Sequence, residues 1–376
     1  MRIPFHRPFY DAADEQALVS AIRSGRIVGD GLSTEQASRE LERLLGARHV
    51  LLTPSCTHAL ELALLALGVG GGDEVIVPSF TFVSSTNCIM LRGARPVFAD
   101  VSPDTLTIRP EEVERRWTPR TRAVMPVAYA GVAPPMDEIT EAARLRGGRV
   151  VEDAAQGIGA FYRGRALGSV GDAGAISFHE TKNISTGEGG AFITQDEEIA
   201  AAAEIIREKG TNRKQFLVGL TDKYTWVGVG SSYLAPDLTA ALLLSQLAKL
   251  PGIIARRREL FGRYRAALEP LATEGKLALP VIPAGVESNY HIFHVLVENE
   301  ETRNKGIAFF RARGIGTAFH YLPLHLSPVG RSLGYGPGDF PVTESVSGRL
   351  LRLPLYPSLT DAEQEEVIGT MKEFLR

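Results

Sequence analysis

The chain has 376 residues, 44% of them hydrophobic and 23% charged, and its 41 basic and 44 acidic side chains give a formal net charge of −3. The composition is typical of a folded protein, and the length suggests two domains or one large α/β unit with an appendage. The balanced charges exclude nucleic acid and anionic membranes as expected partners. We predict a cytoplasmic protein with no membrane span and no metal site, since no apolar stretch approaches about 18 residues and two cysteines are too few for zinc.

Short apolar runs between residues 50 and 194 are predicted to be strands of one sheet. Continuous apolar runs indicate strands that are buried on both faces, as in a largely parallel sheet covered by helices, so the fold class is α/β. The last three runs follow one another closely, and we therefore expect part of the far edge of the sheet to be antiparallel. The seven predicted strands are residues 50–54, 74–79, 95–101, 122–129, 149–155, 173–179 and 189–194.

The pattern along the chain predicts a large α/β domain, a helical connector and a smaller α+β domain. The large domain, with an N-terminal arm, covers residues 1–235, and the connector covers residues 236–271, where Pro251 and Gly252 are expected to kink or break the helix. The small domain covers residues 272–376. Its predicted elements are strands at 292–297 and 316–321 and helices at 301–313 and 361–375.

Lys182 is the only lysine among the first 208 residues, in a chain whose basic residues are mostly arginine. An arginine cannot form an imine with a carbonyl because its guanidinium stays protonated. A lysine in a partly apolar pocket can, since its amine is neutral when its pKa is lowered. Lys182 follows a predicted buried strand and precedes the glycine turn at 187–190, so the alternative is a solvated lysine beside a hairpin.

The predicted strand at 149–155 ends in the sequence EDAAQ, with two adjacent carboxylates. Ligands of α/β sheets commonly bind beyond the carboxyl ends of strands. A carboxylate there can pair with the ring nitrogen of pyridoxal phosphate, with Gln156 supporting the ring hydroxyl. A helix cap or a magnesium ligand is the alternative. Because strand side chains alternate between faces, only one of Glu152 and Asp153 faces the site, and we favour Asp153.

The sequence TPSCTHAL joins the first strand to a helix predicted from residue 57. Its N–H groups and the hydroxyls of Ser55 and Thr57 suit a phosphate, although ordinary helix capping explains them equally well. Phe80 and Phe82 follow the next strand, where either can stack on a flat ring or belong to the core. We find no dinucleotide-binding glycine motif, no P-loop and no nucleophile elbow.

The order of these motifs resembles the DegT/DnrJ/EryC1/StrS family of nucleotide-sugar aminotransferases, and the resemblance covers nearly the whole chain. It rests on LLTPSCTHALELALL, YAGVAPPMD, EDAAQG, SFHETKN, IIREKGTNR, DKYTWVGVGSSYL and FHYLPLH. Within the family, these strings are most similar to the transaminases that make dTDP-4-amino-4,6-dideoxygalactose. The resemblance implies the fold type I architecture of transferases that depend on pyridoxal 5'-phosphate, with a mixed, mostly parallel seven-stranded sheet.

The resemblance also implies roles for individual residues. Lys182 would form the imine with pyridoxal 5'-phosphate, Asp153 would partner its ring nitrogen, and Gln156 would contact its ring hydroxyl. Dehydratase relatives carry histidine at the lysine position, so Lys182 favours amino transfer. The cofactor phosphate would be held by Ser55, Cys56, Thr57 and Ser177, and Phe82 would stack on the ring. Ser232 stands where many relatives have an asparagine that reaches the phosphate in the partner subunit, so either the serine makes a shorter contact or that contact between subunits is lost.

By the same resemblance, L-glutamate would donate the amine, leaving 2-oxoglutarate and pyridoxamine 5'-phosphate. The amine would then pass to C4 of a dTDP-4-keto-6-deoxy sugar in a homodimer with shared active sites. The residues expected to bind the diphosphate and the sugar are Lys209, Arg213, His320 and Tyr321. Two alternatives stay open: the same chemistry on a dTDP-4-keto pentose or a 3-keto sugar of antibiotic aminosugar biosynthesis, and a regulator that binds pyridoxal phosphate without catalysis.

Overall fold

The computed structural model describes residues 1–376 and contains twelve strands and thirteen α-helices. The strands are β1 (His49–Thr53), β2 (Glu74–Pro78), β3 (Arg95–Ala99), β4 (Thr121–Val124), β5 (Arg149–Asp153), β6 (Phe161–Tyr162), β7 (Arg165–Ala166), β8 (Ala173–Ser177), β9 (Gly190–Thr194), β10 (Val286–Glu287), β11 (Phe293–Leu296) and β12 (Leu350–Leu353). The helices are α1 (Ala12–Arg23), α2 (Leu32–Leu45), α3 (Cys56–Ala66), α4 (Val83–Leu91), α5 (Pro110–Arg116), α6 (Met136–Arg144), α7 (Glu197–Arg207), α8 (Arg213–Leu217), α9 (Asp237–Thr273), α10 (Glu300–Ala312), α11 (Pro328–Ser332), α12 (Pro341–Arg349) and α13 (Asp361–Phe374).

The central feature is a seven-stranded sheet in the order β1-β9-β8-β5-β4-β2-β3. Five neighbours, β8, β5, β4, β2 and β3, are parallel, whereas β9 is antiparallel to both β8 and β1. The mixed, mostly parallel sheet of the α/β prediction is confirmed, and all seven predicted runs contain a strand. The reversed strand β9 lies next to the edge strand β1.

Burial on both faces explains why these strands read as continuous apolar runs. Every residue of β2, β8 and β9 is buried. One apolar cluster, of 35 buried residues, joins one face of the sheet to helices α2, α6 and α9, and a second, of 25, joins the other face to α3, α4 and α7. The sheet is therefore covered by helices on both sides, and its strand ends are the accessible edge.

Helix α9 is continuous over 37 residues, so the expected break at Pro251 and Gly252 is wrong. A proline inside a helix removes one hydrogen bond and costs about 3 kcal/mol. Here that cost is offset by packing on both sides of the proline. Leu250 and Ile253 pack into the 35-residue cluster, and Leu260 packs into a separate cluster of 20 residues in the C-terminal part of the chain.

Helix α9 also corrects the expectation about membrane-length apolar stretches. It contains an 18-residue stretch with a mean hydropathy of 1.6, and is long and apolar enough to cross a membrane by length and composition. In this structure it packs against α1 and α2 and contributes five side chains to the 35-residue cluster. A core helix of this kind satisfies the same test of length and composition.

The C-terminal part of the chain is built on a two-stranded antiparallel sheet of β11 and β12. Helices α10 and α13 match the helices predicted at 301–313 and 361–375, and β11 matches the strand predicted at 292–297. The strand predicted at 316–321 is absent, because only Ala318 bridges to Arg352 there. The chain turns away into a loop that carries His320 and Tyr321 towards the central sheet.

Glu152, on β5, accepts hydrogen bonds from the backbone N–H groups of Gly168 (3.0 Å), Val170 (2.5 Å) and Gly171 (2.7 Å). We expect Glu152→Gln to lower the free energy of unfolding by about 2 kcal/mol, because its amide nitrogen would face a donor. Urea unfolding measures the change. The control Glu365→Gln, at an exposed position, is expected to stay within about 0.5 kcal/mol of the parent. Equal midpoints for the parent and Glu152→Gln would contradict the role of Glu152 in holding the loop at 168–171.

Candidate active site

A cavity of about 590 Å³ lies beyond the carboxyl ends of the parallel strands. Its walls come from the turn after β1, the ends of β5 and β8, the N-terminal segment, and the C-terminal part of the chain. The structure brings most of the predicted site residues to this cavity. They are Ser55, Cys56, Thr57, Phe82, Asp153, Gln156, Ser177, Lys182, His320 and Tyr321.

Lys182 lies in the loop that follows β8, where its backbone N–H donates to the carbonyl of His179 at 2.9 Å. Burial lowers the pKa of Lys182, and this effect is opposed by the nearby Cys56 and Asp153. Because the amine lines the cavity, it can accept and release a proton there more readily than a solvated lysine.

The two adjacent carboxylates at the end of β5 lie on opposite faces of the sheet, as strand alternation requires. Asp153 lines the cavity, whereas Glu152 is enclosed by the loop at 168–171. Asp153 accepts hydrogen bonds from Ser85 Oγ (2.6 Å) and from the N–H of Ala155 (3.1 Å). Burial raises the pKa of Asp153, and both hydrogen bonds oppose that shift. The cavity floor thus presents a fixed carboxylate.

The start of helix α3 forms a polar corner of the cavity. Ser55 is the N-cap, and its hydroxyl accepts from the N–H of His58 at 3.2 Å. Thr57 donates to Ser84, which also lines the cavity. A Cβ atom on Gly190 would lie 2.4 Å from the backbone N of Cys56, so β9 must have glycine where it passes this corner. Hydroxyls and helix N–H groups together suit an anion such as phosphate.

Gln156 and Tyr321 form a hydrogen-bonded pair at the cavity wall. Gln156 Nε2 donates to Tyr321 Oη at 3.0 Å, and its Oε1 accepts from the N–H of Ala130 at 2.6 Å. Phe82 stands at the rim with 57% of its surface exposed, whereas Phe80 is buried and packs edge-on against Tyr321. Of the two phenylalanines, only Phe82 is free to cover a ligand.

Asn183 and His291 are neighbours of Lys182 that the sequence motifs did not single out. Asn183 Nδ2 donates to the carbonyl of Asn289 at 2.9 Å, so its Oδ1 faces His291 Nδ1, also at 2.9 Å. His291 therefore carries its proton on Nδ1. Burial and the charge of Lys182 hold the pKa of His291 well below its usual range. Its Nε2 is thus a neutral acceptor on a residue that lines the cavity.

Arg352, on β12, also lines the cavity and was not predicted. Its Nη1 donates to His320 Nε2 at 2.6 Å, which places the His320 proton on Nδ1, 3.3 Å from Tyr129 Oη. Burial, together with the charge of Arg352, lowers the pKa of His320 to about 2. His320 stacks on Tyr321 with ring centroids 3.9 Å apart. A charged residue inside the apolar run LLRLPLY was the sequence signal for Arg352.

Three predicted residues lie outside this cavity: Lys209, Arg213 and Ser232. Lys209 pairs with Glu208 at 3.1 Å, and Arg213 lies 3.7 Å from the same carboxylate. Ser232 pairs with Glu208 through an isolated backbone bridge. Within one chain, these residues are therefore not brought to the site that contains Lys182.

No group of three or more histidine, cysteine, aspartate or glutamate side chains in the chain is arranged to hold a metal ion. The cavity combines the amine of Lys182, whose pKa is lowered, with the buried carboxylate of Asp153 and the polar corner at the start of α3. This set of groups suits an organic, phosphorylated ligand.

Comparison with known proteins places the chain among aminotransferases. The model of the DegT/DnrJ/EryC1/StrS aminotransferase family matches residues 9–372. Spore coat polysaccharide biosynthesis protein SpsC of Bacillus subtilis is 35% identical, over 100% of this chain and 97% of its own length. Aminotransferase TlmJ from Streptoalloteichus hindustanus is 34% identical with a TM-score of 0.91, over 99% of this chain and 98% of its own.

A further solved structure is Spr1654 from Streptococcus pneumoniae in its PLP-form. It is 28% identical with a TM-score of 0.92, over 100% of this chain and 99% of its own. Sequence, fold and cavity thus agree over the full length of the chain. The protein belongs to the DegT/DnrJ/EryC1/StrS aminotransferase family.

Proposed function

We propose that this protein is a nucleotide-sugar aminotransferase that uses pyridoxal 5'-phosphate and moves the amino group of L-glutamate to C4 of a dTDP-4-keto-6-deoxy sugar. The observation that carries the proposal is that Lys182 and Asp153 line one cavity together with the polar corner at the start of α3. Family membership and the PLP-form of Spr1654 support the cofactor. The choice of sugar rests on the sequence resemblance.

The residues of the cavity fit this cofactor. Ser55, Thr57 and Ser177, with the backbone at Cys56, would hold its phosphate at the helix start. Asp153, which lines the cavity, would partner the ring nitrogen. Phe82 would cover the ring, and Gln156 would contact the ring hydroxyl.

When bound, the cofactor would supply a carbonyl that exchanges for the amine and a ring that withdraws electrons from the reacting carbon. The side chains would do the rest. Lys182, with its lowered pKa, would take a proton from the donor carbon and return it as a general acid. Asp153 would supply the negative charge that partners the ring nitrogen. The neutral Nε2 of His291 would accept a hydrogen bond without competing for the proton.

The test is the absorption spectrum of the purified protein with pyridoxal 5'-phosphate, recorded before and after addition of L-glutamate. We expect the visible band of the bound cofactor to disappear with glutamate and to return when the correct ketosugar is added. A panel of dTDP-4-keto hexoses, dTDP-4-keto pentoses and 3-keto sugars identifies the acceptor. A spectrum that no amino donor changes would contradict the proposed activity and favour a regulator that binds the cofactor.

The proposed enzyme works as a homodimer, in which the segment 209–232 of one subunit reaches the cavity of its partner. Apolar side chains of this segment are exposed in the single chain, with Trp226 at 72% and Val229 at 75%. Exposed apolar surface of this kind marks an interaction site. Lys209, Arg213 and Ser232 lie on the same segment, so pairing would bring them to the nucleotide diphosphate or cofactor phosphate of the other subunit.

We expect the double variant Trp226→Glu/Val229→Glu to be monomeric and inactive, because two buried charges would oppose association. Sedimentation velocity measures the mass, and the glutamate half-reaction measures the activity. Leu145→Glu is the control, since Leu145 is 68% exposed on another surface and its variant should stay dimeric. A fully active monomer would contradict the shared site.

A further inference from the structure

A cleft of about 410 Å³ lies on the surface of helix α9 and shares no lining residue with the active cavity. Arg258 and Arg265 are seven residues apart, so they lie about 10 Å from one another along one face of the helix, with Phe261 between them. The facing wall consists of Tyr290 and residues 281–282, a valine and an isoleucine. Volumes of about 300 to 1,000 Å³ are typical of sites for small organic molecules.

The two arginines of the cleft are not neutralised by the chain. Elsewhere on α9, the guanidinium groups of Arg256 and Arg263 pair with carboxylates at 2.6 to 2.8 Å, whereas those of the cleft make no such pair. The Arg258 guanidinium lies over the ring of Tyr290, with Cζ 5.5 Å from the ring centroid, and Arg265 donates to a backbone carbonyl at 2.9 Å. These contacts hold both positive charges at the cleft, where an anionic ligand can reach them.

Gly262 keeps the floor of the cleft open. It lies in the interior of α9, where glycine costs about 1 kcal/mol relative to alanine. Packing does not explain this cost, because a Cβ atom at Gly262 would have no atom within 4 Å. The neighbouring Phe261 is buried, with its ring edge-on to that of Tyr290 and the centroids 5.3 Å apart. The glycine therefore leaves the helix backbone bare beside the aromatic wall, where a flat group can approach closely.

Tyr290 reaches the cleft through a strained backbone. Its φ is +54°, in the left-handed region that bulky residues rarely adopt. The hydroxyl of Ser288 accepts from the N–H of Tyr290 at 3.0 Å. The buried Arg257 donates to the carbonyls of Tyr290 (3.4 Å) and His291 (3.1 Å). Tyr290 consequently lines the cleft, while the next residue, His291, lines the active cavity. Residues held in such strained conformations cluster at ligand sites and switch regions.

We propose that the cleft on α9 is a second ligand-binding site, and that its ligand is a nucleoside phosphate. The base would lie on the bare helix at Gly262 and against Tyr290, since aromatic rings and guanidinium planes both stack on bases. Arg258 and Arg265 would bind the phosphate. Free phosphate would leave the apolar wall unused, and a neutral apolar molecule would leave two charges unpaired. The inference does not depend on the proposed aminotransferase function, because the site is separate from Lys182.

The experiment titrates the cofactor-loaded protein with adenosine 5'-monophosphate and measures binding by calorimetry. We expect Arg258→Ala/Arg265→Ala to weaken binding at least 10-fold, because both phosphate contacts are removed. Gly262→Leu should weaken it as much, because the leucine side chain fills the floor while suiting the helix. Gly252→Leu is the matched control. Gly252 is also an exposed glycine of α9 whose Cβ would have no atom within 4 Å, but it lies outside the cleft, so binding should not change.

Adenosine and inorganic phosphate test the two halves of the ligand separately. Each alone is expected to bind at least 10-fold more weakly than the monophosphate. If inorganic phosphate bound as tightly, the cleft would be a simple anion site and the nucleoside assignment would be overturned. Equal binding of the monophosphate to the parent and Gly262→Leu would place the ligand outside the cleft and overturn the inference. A parent protein that binds no monophosphate would overturn it as well.

Discussion

Lys182→Ala is expected to lower the rate of amino transfer from L-glutamate by more than about 1,000-fold. The substitution removes the group that would both attach the cofactor and move the proton at the reacting carbon. Rapid-mixing measurement of a single half-reaction gives the rate directly. The variant should still bind the phosphate of the cofactor, because the corner at the start of α3 is intact.

The neutral state of Lys182 is tested by Lys182→Arg, which keeps the positive charge but cannot lose its proton. We expect it to be as inactive as the alanine variant. An active arginine variant would contradict the role of Lys182 in imine formation and proton transfer. Because burial lowers the pKa of Lys182, its protonated form is penalised in the folded state. The alanine variant without cofactor should therefore gain stability over the parent at low pH, and this gain should fade as the pH rises towards the ordinary lysine pKa.

Asp153→Asn is expected to slow amino transfer by about 1,000-fold while the protein stays folded. Asparagine has nearly the same shape: its one oxygen can accept from the N–H of Ala155, and the hydroxyl of Ser85 can turn to accept from its amide nitrogen. What would be lost is the negative charge proposed to partner the ring nitrogen, without which the cofactor would withdraw electrons poorly. The rate of the glutamate half-reaction measures the loss.

The neighbouring Glu152 offers the matched control for this second variant. Glu152→Gln removes a carboxylate one residue away on the opposite face, where it holds the loop at 168–171. It should reduce stability and leave the rate unchanged at temperatures where the protein is folded. If both variants lost the same activity, the effect would be general damage to β5, and the role of Asp153 would be refuted.

The strands of the central sheet could be predicted because each is an apolar run that the fold buries on both faces, as in β2 and β8. Helix α9 could not, because the local rule that proline breaks a helix was outweighed by the packing of Leu250, Ile253 and Leu260. The segment at 316–321 was predicted to be a strand, but β12 pairs with it only at Ala318. Tertiary contacts decided both cases.

The residues of the candidate site also divide into those that the sequence predicts and those that only the folded structure reveals. Lys182 and Asp153 belong to short motifs that end or follow predicted strands, and their meeting at one cavity could be predicted because ligands of α/β sheets bind beyond the carboxyl ends of strands. Arg352, His291 and Phe5 come from distant parts of the chain and carry no motif. Only the folded chain shows that they share the cavity with Lys182.

Phe5 of the N-terminal segment and Arg352 of β12 both line the cavity, and this links the site to the order in which the chain is synthesised. The N-terminal segment is held by a bridge between Ile3 and Ile315 and by an ion pair between Arg2 and Glu366. At ribosomal rates, residues 2–6 wait roughly 15 to 70 seconds before these partners exist. This wall of the cavity is therefore completed only when synthesis is nearly over, whereas Lys182, Asp153 and the start of α3 are synthesised well before it.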